Sequence, residues 1–167
     1  NFVELYNSKS FPQISLFRGP KGIGKSVFAY HFVNYLLSKD EDYKYSLENF
    51  TINPDNLSYK LLKANSHPNF FLLDVIDDEK NIKIKQTRDL LQFLNKSTFN
   101  RNLKVVLIDN SELLNLSSAN AILKSIEEPK PNTFFFIVHD SNCKILETIR
   151  SRCIEFNFFL KNFEKNK

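Results

Sequence analysis

The sequence predicts a three-layer α/β fold, a five-stranded parallel sheet covered by helices on both faces. Three observations carry that expectation. Short, continuously apolar runs recur along the chain and alternate with stretches of helical spacing, the pattern of strands buried on both faces. Only 3 of the 167 residues are glycine, where average usage would give about 12, and all three fall at Gly19, Gly22 and Gly24, directly after the first apolar run. The composition, 42% hydrophobic and 25% charged, is that of a globular protein and excludes collagen-like, disordered and disulfide-scaffold classes.

The elements follow in order. Ile14–Phe17, ending at Arg18-Gly19, reads as a buried strand feeding a turn. After the glycines, Val27 to Leu37 is so densely apolar that a helix there must be covered around much of its circumference. A charged stretch, Lys39–Tyr45, and a turn at Asn53–Asn56 separate it from a short helix at Leu57–Ala64. Phe70–Ile76 is the next strand, Asp77–Asn81 a solvated loop, and Thr87–Leu94 a helix through Leu90, Leu91 and Leu94. Leu103–Ile108 is the third strand. Ser117 or Ser118 is the expected N-cap of a helix with apolar positions at Ala119, Ile122, Leu123 and Ile126, closed by Glu127-Glu128-Pro129. Thr133–Val138 and Ile154–Phe158 complete the sheet, and the chain has no internal repeat.

The longest apolar runs, such as Phe134–Val138, fall far short of the roughly 20 residues a membrane helix requires. Methionine is absent and the first residue is Asn1, so the chain is expected to be a piece of a longer protein, cut at both ends. The abundance of Phe, Asn, Lys and Ile fits a codon bias toward A and T and carries no function. With two cysteines, Cys143 and Cys153, and no secretory signal, reduced thiols and a cytoplasmic location are expected. The net charge of +4 is too mild to imply nucleic acid by itself. Its distribution is uneven, however. Lys39–Lys80 carries nine acids against five bases, whereas Asn81–Lys104 carries Lys83, Lys85, Arg88, Lys96, Arg101 and Lys104 against Asp89 alone. A solvated basic helix face is the default reading of that segment, with phosphate contact as the alternative.

The chemistry concentrates in Gly19-Pro20-Lys21-Gly22-Ile23-Gly24-Lys25-Ser26, which satisfies G-x-x-x-x-G-K-[ST] between a predicted strand and a predicted helix, the context that marks a phosphate-binding loop. Backbone N–H groups converging on phosphate oxygens need conformations and close approaches that a Cβ obstructs. The following helix offers its N-terminal dipole. Lys25 is placed to reach the β- and γ-phosphates and Ser26 to hold Mg²⁺. Lys104-Val105-Val106-Leu107-Ile108-Asp109 delivers an acid to the C-terminal edge of the sheet, where open α/β sheets bind ligands; Asp109 would orient the Mg²⁺. The next residue is Asn110, a neutral amide that can hydrogen-bond water but cannot take its proton. Hydrolysis is therefore expected to be weak or absent. Glu112 is a second candidate acid, badly placed by the chain direction at a strand end.

From residue 14 to 157 the chain resembles the bacterial clamp-loader branch of the AAA+ ATPases. The matching stretches are the Gly19–Ser26 loop, His67-Pro68-Asn69, the run Ser118-Ala119-Asn120-Ala121-Ile122-Leu123-Lys124-Ser125-Ile126-Glu127-Glu128-Pro129, and Ile149-Arg150-Ser151-Arg152-Cys153. The resemblance implies an AAA+ nucleotide-binding domain over residues 1–160, with 161–167 opening a linker to absent lid and collar domains. It implies a role in replication, in which a ring of subunits, including tau/gamma and delta, uses ATP and Mg²⁺ to place the sliding clamp on primer-template DNA. By the same resemblance Arg152 is an arginine finger offered to the nucleotide of a neighbouring subunit; without the family strings it would read as a surface ion pair.

Three departures from the family pattern shape the expectation. Residues 39–66 lack the four cysteines of the family's zinc module, so no zinc is expected and His67 reads as a capping or packing residue. Asn110 stands where the motor subunits carry glutamate. The sensor position after the fourth strand falls at His139 or Asp140 rather than a small polar residue. The favoured reading is a stator that lends Arg152 to a partner; the alternatives are an active motor subunit and a P-loop phosphotransferase, the latter disfavoured because Arg18, Arg88, Arg101, Arg150 and Arg152 form no lid-like cluster.

Overall fold

A computed structural model describes residues 2–76, 79–97 and 103–159. Asp77 and Asp78 of the acidic loop, Arg101 of the basic segment and the 161–167 linker lie outside the described residues. The strands are β1 (Ile14–Gly19), β2 (Phe70–Leu73), β3 (Lys104–Ile108), β4 (Thr133–Asp140) and β5 (Ile154–Asn157). They form one parallel sheet in the order β2-β3-β4-β1-β5. The helices are α1 (Phe2–Asn7), α2 (Lys25–Leu37), α3 (Leu57–Lys63), α4 (Ile84–Asn95), α5 (Leu116–Glu127) and α6 (Glu147–Arg150), with a single 3₁₀ turn at Ser111–Leu113.

Alternation along the strands builds two cores, because successive side chains of a strand point to opposite faces. Leu16, Val106, Ile108, Phe135 and Ile137 face α4, α5 and α6 through Leu90, Leu94, Ile122, Ile126 and Ile149. Phe17, Val105, Leu107, Phe136 and Val138 face α2 and α3 through Phe32, Val33, Leu36 and Leu62. The second core is largely aromatic: the Phe2 ring contacts Phe11, Phe17, Phe28, Phe32 and Phe156. That packing, rather than any local propensity, explains α1, six residues that show no helical signal in the sequence.

The remaining differences from the expected elements have local causes. β2 stops at Leu73 because the Asp74 carbonyl leaves the ladder and accepts from Gln86 Nε2 at 2.5 Å. α5 begins earlier than expected, with Asn115 as its N-cap accepting from Ser118 N at 2.8 Å. Ser118 is instead fully buried and donates its hydroxyl to Ile82 O. Lys104 does not belong to a basic surface. It is buried, and its Nζ donates to the carbonyls of Phe93, Leu94 and Lys96 at the end of α4. Burial, with Lys130 and Lys96 nearby, holds its pKa below the usual lysine value. Lys83 pairs with Glu79 and stays exposed, so Lys83, Lys85, Arg88 and Lys96 are the exposed cations of the described part of this segment. No helix among the described residues is long and apolar enough to cross a membrane.

Candidate nucleotide site

β1 ends at Gly19 and α2 starts at Lys25, so the loop between them lies at the C-terminal edge of the sheet beside the end of β3. Gly22 and Gly24 take φ of 81° and 96°, left-handed values that ordinary side chains avoid. Gly24 is also the N-cap of α2 and contributes no side chain to it, which leaves the first-turn N–H groups of a 13-residue helix facing the loop without a side-chain cap. Gly19 has a different reason to be glycine. A Cβ there would sit 2.5 Å from Phe158 O and 2.9 Å from Phe158 Cβ, so the chain's own exit from β5 occupies the room a side chain would need.

Lys25 is buried, and its Nζ donates to Gly19 O at 2.7 Å and Pro20 O at 2.8 Å. The ammonium thereby braces the loop from within. Ser26 Oγ donates to Asp109 Oδ1 at 2.9 Å, bringing together the two side chains assigned to Mg²⁺ from opposite elements. Burial raises the Asp109 pKa, with Asp74 and Glu112 adding to it, while the Ser26 hydroxyl and the Asn110 N–H pull it back. Uncapped N–H groups, a lysine on the loop and a hydroxyl-carboxylate pair fit a magnesium nucleotide. Lys25 would exchange its two carbonyls for phosphate oxygens, Ser26 and Asp109 would hold the metal, and bound Mg²⁺ would supply neutralisation of phosphate charge. Pro20 and Lys21 are exposed and Ile23 is half-buried along the loop.

Asp74, just past the end of β2, is a site residue that the sequence does not single out. Its Oδ1 accepts from Asn110 Nδ2 at 2.9 Å and from Val75 N at 2.7 Å. The Leu73↔Ile108 register puts it beside Asp109; the one available sign was an acid at the end of an apolar strand, which many loops share. Tyr30 of α2 stands close to both carboxylates, and its pKa is pushed up to about 12 by burial and by Asp109 and Asp74.

Glu112 accepts from Asp140 N at 3.1 Å and lies 3.6 Å from His139 Nδ1. His139 is buried, with Nδ1 on Ser111 Oγ at 3.0 Å and Nε2 on Cys143 O at 3.2 Å. Since a carbonyl can only accept, Nε2 carries a proton and donates it to Cys143 O. Both ring nitrogens are thus committed within the chain. His67 likewise accepts from Asn69 N at 3.1 Å and meets Ser58 Oγ at 3.2 Å, the capping role expected of it.

Arg152 is not part of this constellation. β1 and β5 are parallel, with Ser15 opposite Ile154 and Arg18 opposite Asn157. The loop therefore leaves one edge of the sheet while Arg152 lies at the other, beyond a strand rise of about 10 Å. Its guanidinium pairs with Glu127 and is 31% exposed.

A family model described as DNA polymerase III, delta subunit, matches residues 1–162. The chain is 34% identical over 140 residues to the DNA polymerase III subunit delta' of Pseudomonas aeruginosa, covering 84% of this chain and 41% of that protein. It is 38% identical over 107 residues to the subunit delta' of Haemophilus influenzae, covering 64% and 32%. It is also 32% identical over 142 residues to the subunit tau/gamma of the same organism, covering 85% and 19%. Among solved structures, a DNA polymerase III gamma subunit-related protein from Thermotoga maritima superposes with a TM-score of 0.57 at 20% identity, over 97% of this chain and 47% of that one, which shows a shared fold. The chain thus spans 41% of the Pseudomonas relative's length. It belongs to the DNA polymerase III delta family that the matching model describes, with delta-prime subunits among its relatives.

Proposed function

We propose that this chain is the nucleotide-binding-fold part of a DNA polymerase III clamp-loader subunit that works chiefly by position. It carries a phosphate-loop site with little or no hydrolysis of its own and presents Arg152 to the nucleotide of a neighbouring subunit. The observation that carries the reading is the separation of cradle from finger. Lys25, Ser26 and Asp109 meet at one edge of the sheet, Asn110 spends its amide on Asp74, and Arg152 stands at the opposite edge, out of reach of its own loop.

An arginine placed there serves a phosphate held by another chain, where it stabilises charge developing on the transferred group; across enzymes such fingers contribute about 10³–10⁵ in rate. The partners on this reading are the tau/gamma and delta subunits, the sliding clamp and, through the assembled ring, primer-template DNA. Lys83, Lys85, Arg88 and Lys96 are the exposed cations that would meet phosphates.

Reconstitution tests it. In the full-length protein, Arg152→Ala is expected to slow DNA-dependent ATP hydrolysis by the ring while leaving assembly intact, and unchanged hydrolysis rejects the finger. ATP turnover by the subunit alone at the rate of a motor subunit, abolished by Lys25→Ala, favours the active-motor alternative instead.

A further inference from the structure

We propose that Glu127, the last residue of α5, is the positioning residue that holds the Arg152 guanidinium ready for its target; the inference rests on Arg152 acting as the finger.

Glu127 Oε1 accepts from both Arg152 Nε, at 2.7 Å, and Arg152 Nη2. Arg152 Nη1 donates to Thr148 O at 2.5 Å and to Ser151 Oγ at 3.3 Å. The backbone beneath is fixed by Arg152 N donating to Ile149 O at 3.1 Å, at the end of α6. One carboxylate and one carbonyl thus grip two sides of a planar group, which sets its plane as well as its place. The side chain nevertheless remains 31% exposed and Glu127 44% exposed, so the held cation still faces outward.

Helix energetics do not account for a carboxylate at this point. The C-terminal end of a helix carries a partial negative charge and favours cations, yet α5 ends on Glu127 with Glu128 as its C-cap. The residue is locally unfavourable and finds its compensation in Arg152, 25 positions further along the chain. A long arginine side chain that must meet a phosphate on another subunit loses rotamer freedom on doing so. A carboxylate that has already ordered it removes that loss from the reaction step.

The test uses the full-length protein in the assembled clamp loader with clamp and primed DNA. Glu127→Gln keeps the shape and removes the charge. It is expected to lower kcat for DNA-dependent ATP hydrolysis about 3- to 10-fold with KM for ATP unchanged, as for an interaction that matters only in the transition state. In an Arg152→Ala background the same change is expected to do nothing further, because the two residues act as one unit. If Arg152→Ala slows hydrolysis while Glu127→Gln leaves it unchanged or speeds it, the positioning role is overturned and the finger stands. An equal loss from Glu127→Gln in both backgrounds marks a structural role and also overturns it. If Arg152→Ala itself has no effect, the finger reading fails first and this inference with it.

Discussion

Asn110 and Asp74 form an amide-carboxylate pair across the ends of β3 and β2, with Nδ2 donating to Oδ1 at 2.9 Å. The pair rests on an unusual backbone: Asn110 has φ 52° and ψ 49°, the left-handed region that asparagine tolerates better than most residues. Substituting the acid that a motor subunit would carry therefore meets two obstacles. Asn110→Glu takes on the left-handed penalty of about 1–2 kcal/mol and sets a third negative charge beside Asp74 and Asp109. Urea melts are expected to show a loss of roughly that size, with no motor-level ATP turnover. Adding Asp74→Asn, which restores one amide and one carboxylate, is expected to recover part of the stability. Full turnover from the single substitution would contradict this account.

Lys25 binds two carbonyls of its own loop, so its removal affects both the resting loop and ligand capture. Calorimetric titration with ATP and Mg²⁺ is expected to show binding to the wild-type protein and affinity at least about tenfold weaker for Lys25→Met, the scale of one charge-assisted hydrogen bond. Equal heats for the two proteins would remove the lysine from the site.

Asp109 gives a pH dependence with a definite sign. Burial raises its carboxyl pKa above the ordinary aspartate value of 3.8, so between the unfolded and folded values the native state binds more protons than the unfolded one. Stability contributed at this site therefore falls as pH rises through that window and stays lower above it. Asp109→Asn keeps an oxygen for Ser26 and removes the buried charge. Scanning calorimetry at neutral pH is expected to show the variant melting higher than the wild type, with its Mg²⁺-dependent nucleotide binding lost; a lower melting temperature would contradict the sign.

The two thiols should separate cleanly. Cys153 is packed against the core on the α5 side and donates to Ile149 O at 3.1 Å. Burial, with Glu155 adding to it, pushes its pKa up to about 12. At pH 8 its thiolate fraction is about 10⁻⁴, and the thiolate is the reactive form. Cys143 is exposed. An Ellman titration of the folded chain is expected to show one fast equivalent, lost in Cys143→Ser, with the second appearing only in denaturant. Two fast equivalents would place Cys153 outside the core.

The strands and the longer helices were legible because their signals are local: Val105 to Ile108 is apolar without a break, and Ala119, Ile122 and Ile126 sit one helical face apart. α1 was not, since its stability comes from Phe2 meeting aromatic rings contributed by β1, α2 and β5. The phosphate loop and Asp109 were readable from spacing alone, whereas Asp74 becomes a site residue only through the β2-β3 register. Lys104 misled for a related reason. Charge counts along a chain assume outward side chains, and this one turns inward to the end of α4.

Gly19 backs directly onto Phe158, whose N–H also donates to Arg18 O at 2.7 Å. Together with Lys25 bracing the loop carbonyls and Ser26 tied to Asp109, this gives each of these residues of the phosphate-loop signature a task in folding that needs no ligand. A descendant of this chain that had lost all use for ATP would still be held to much of the same eight-residue string by its own architecture. For proteins built this way the signature testifies to ancestry, and only a titration testifies to use.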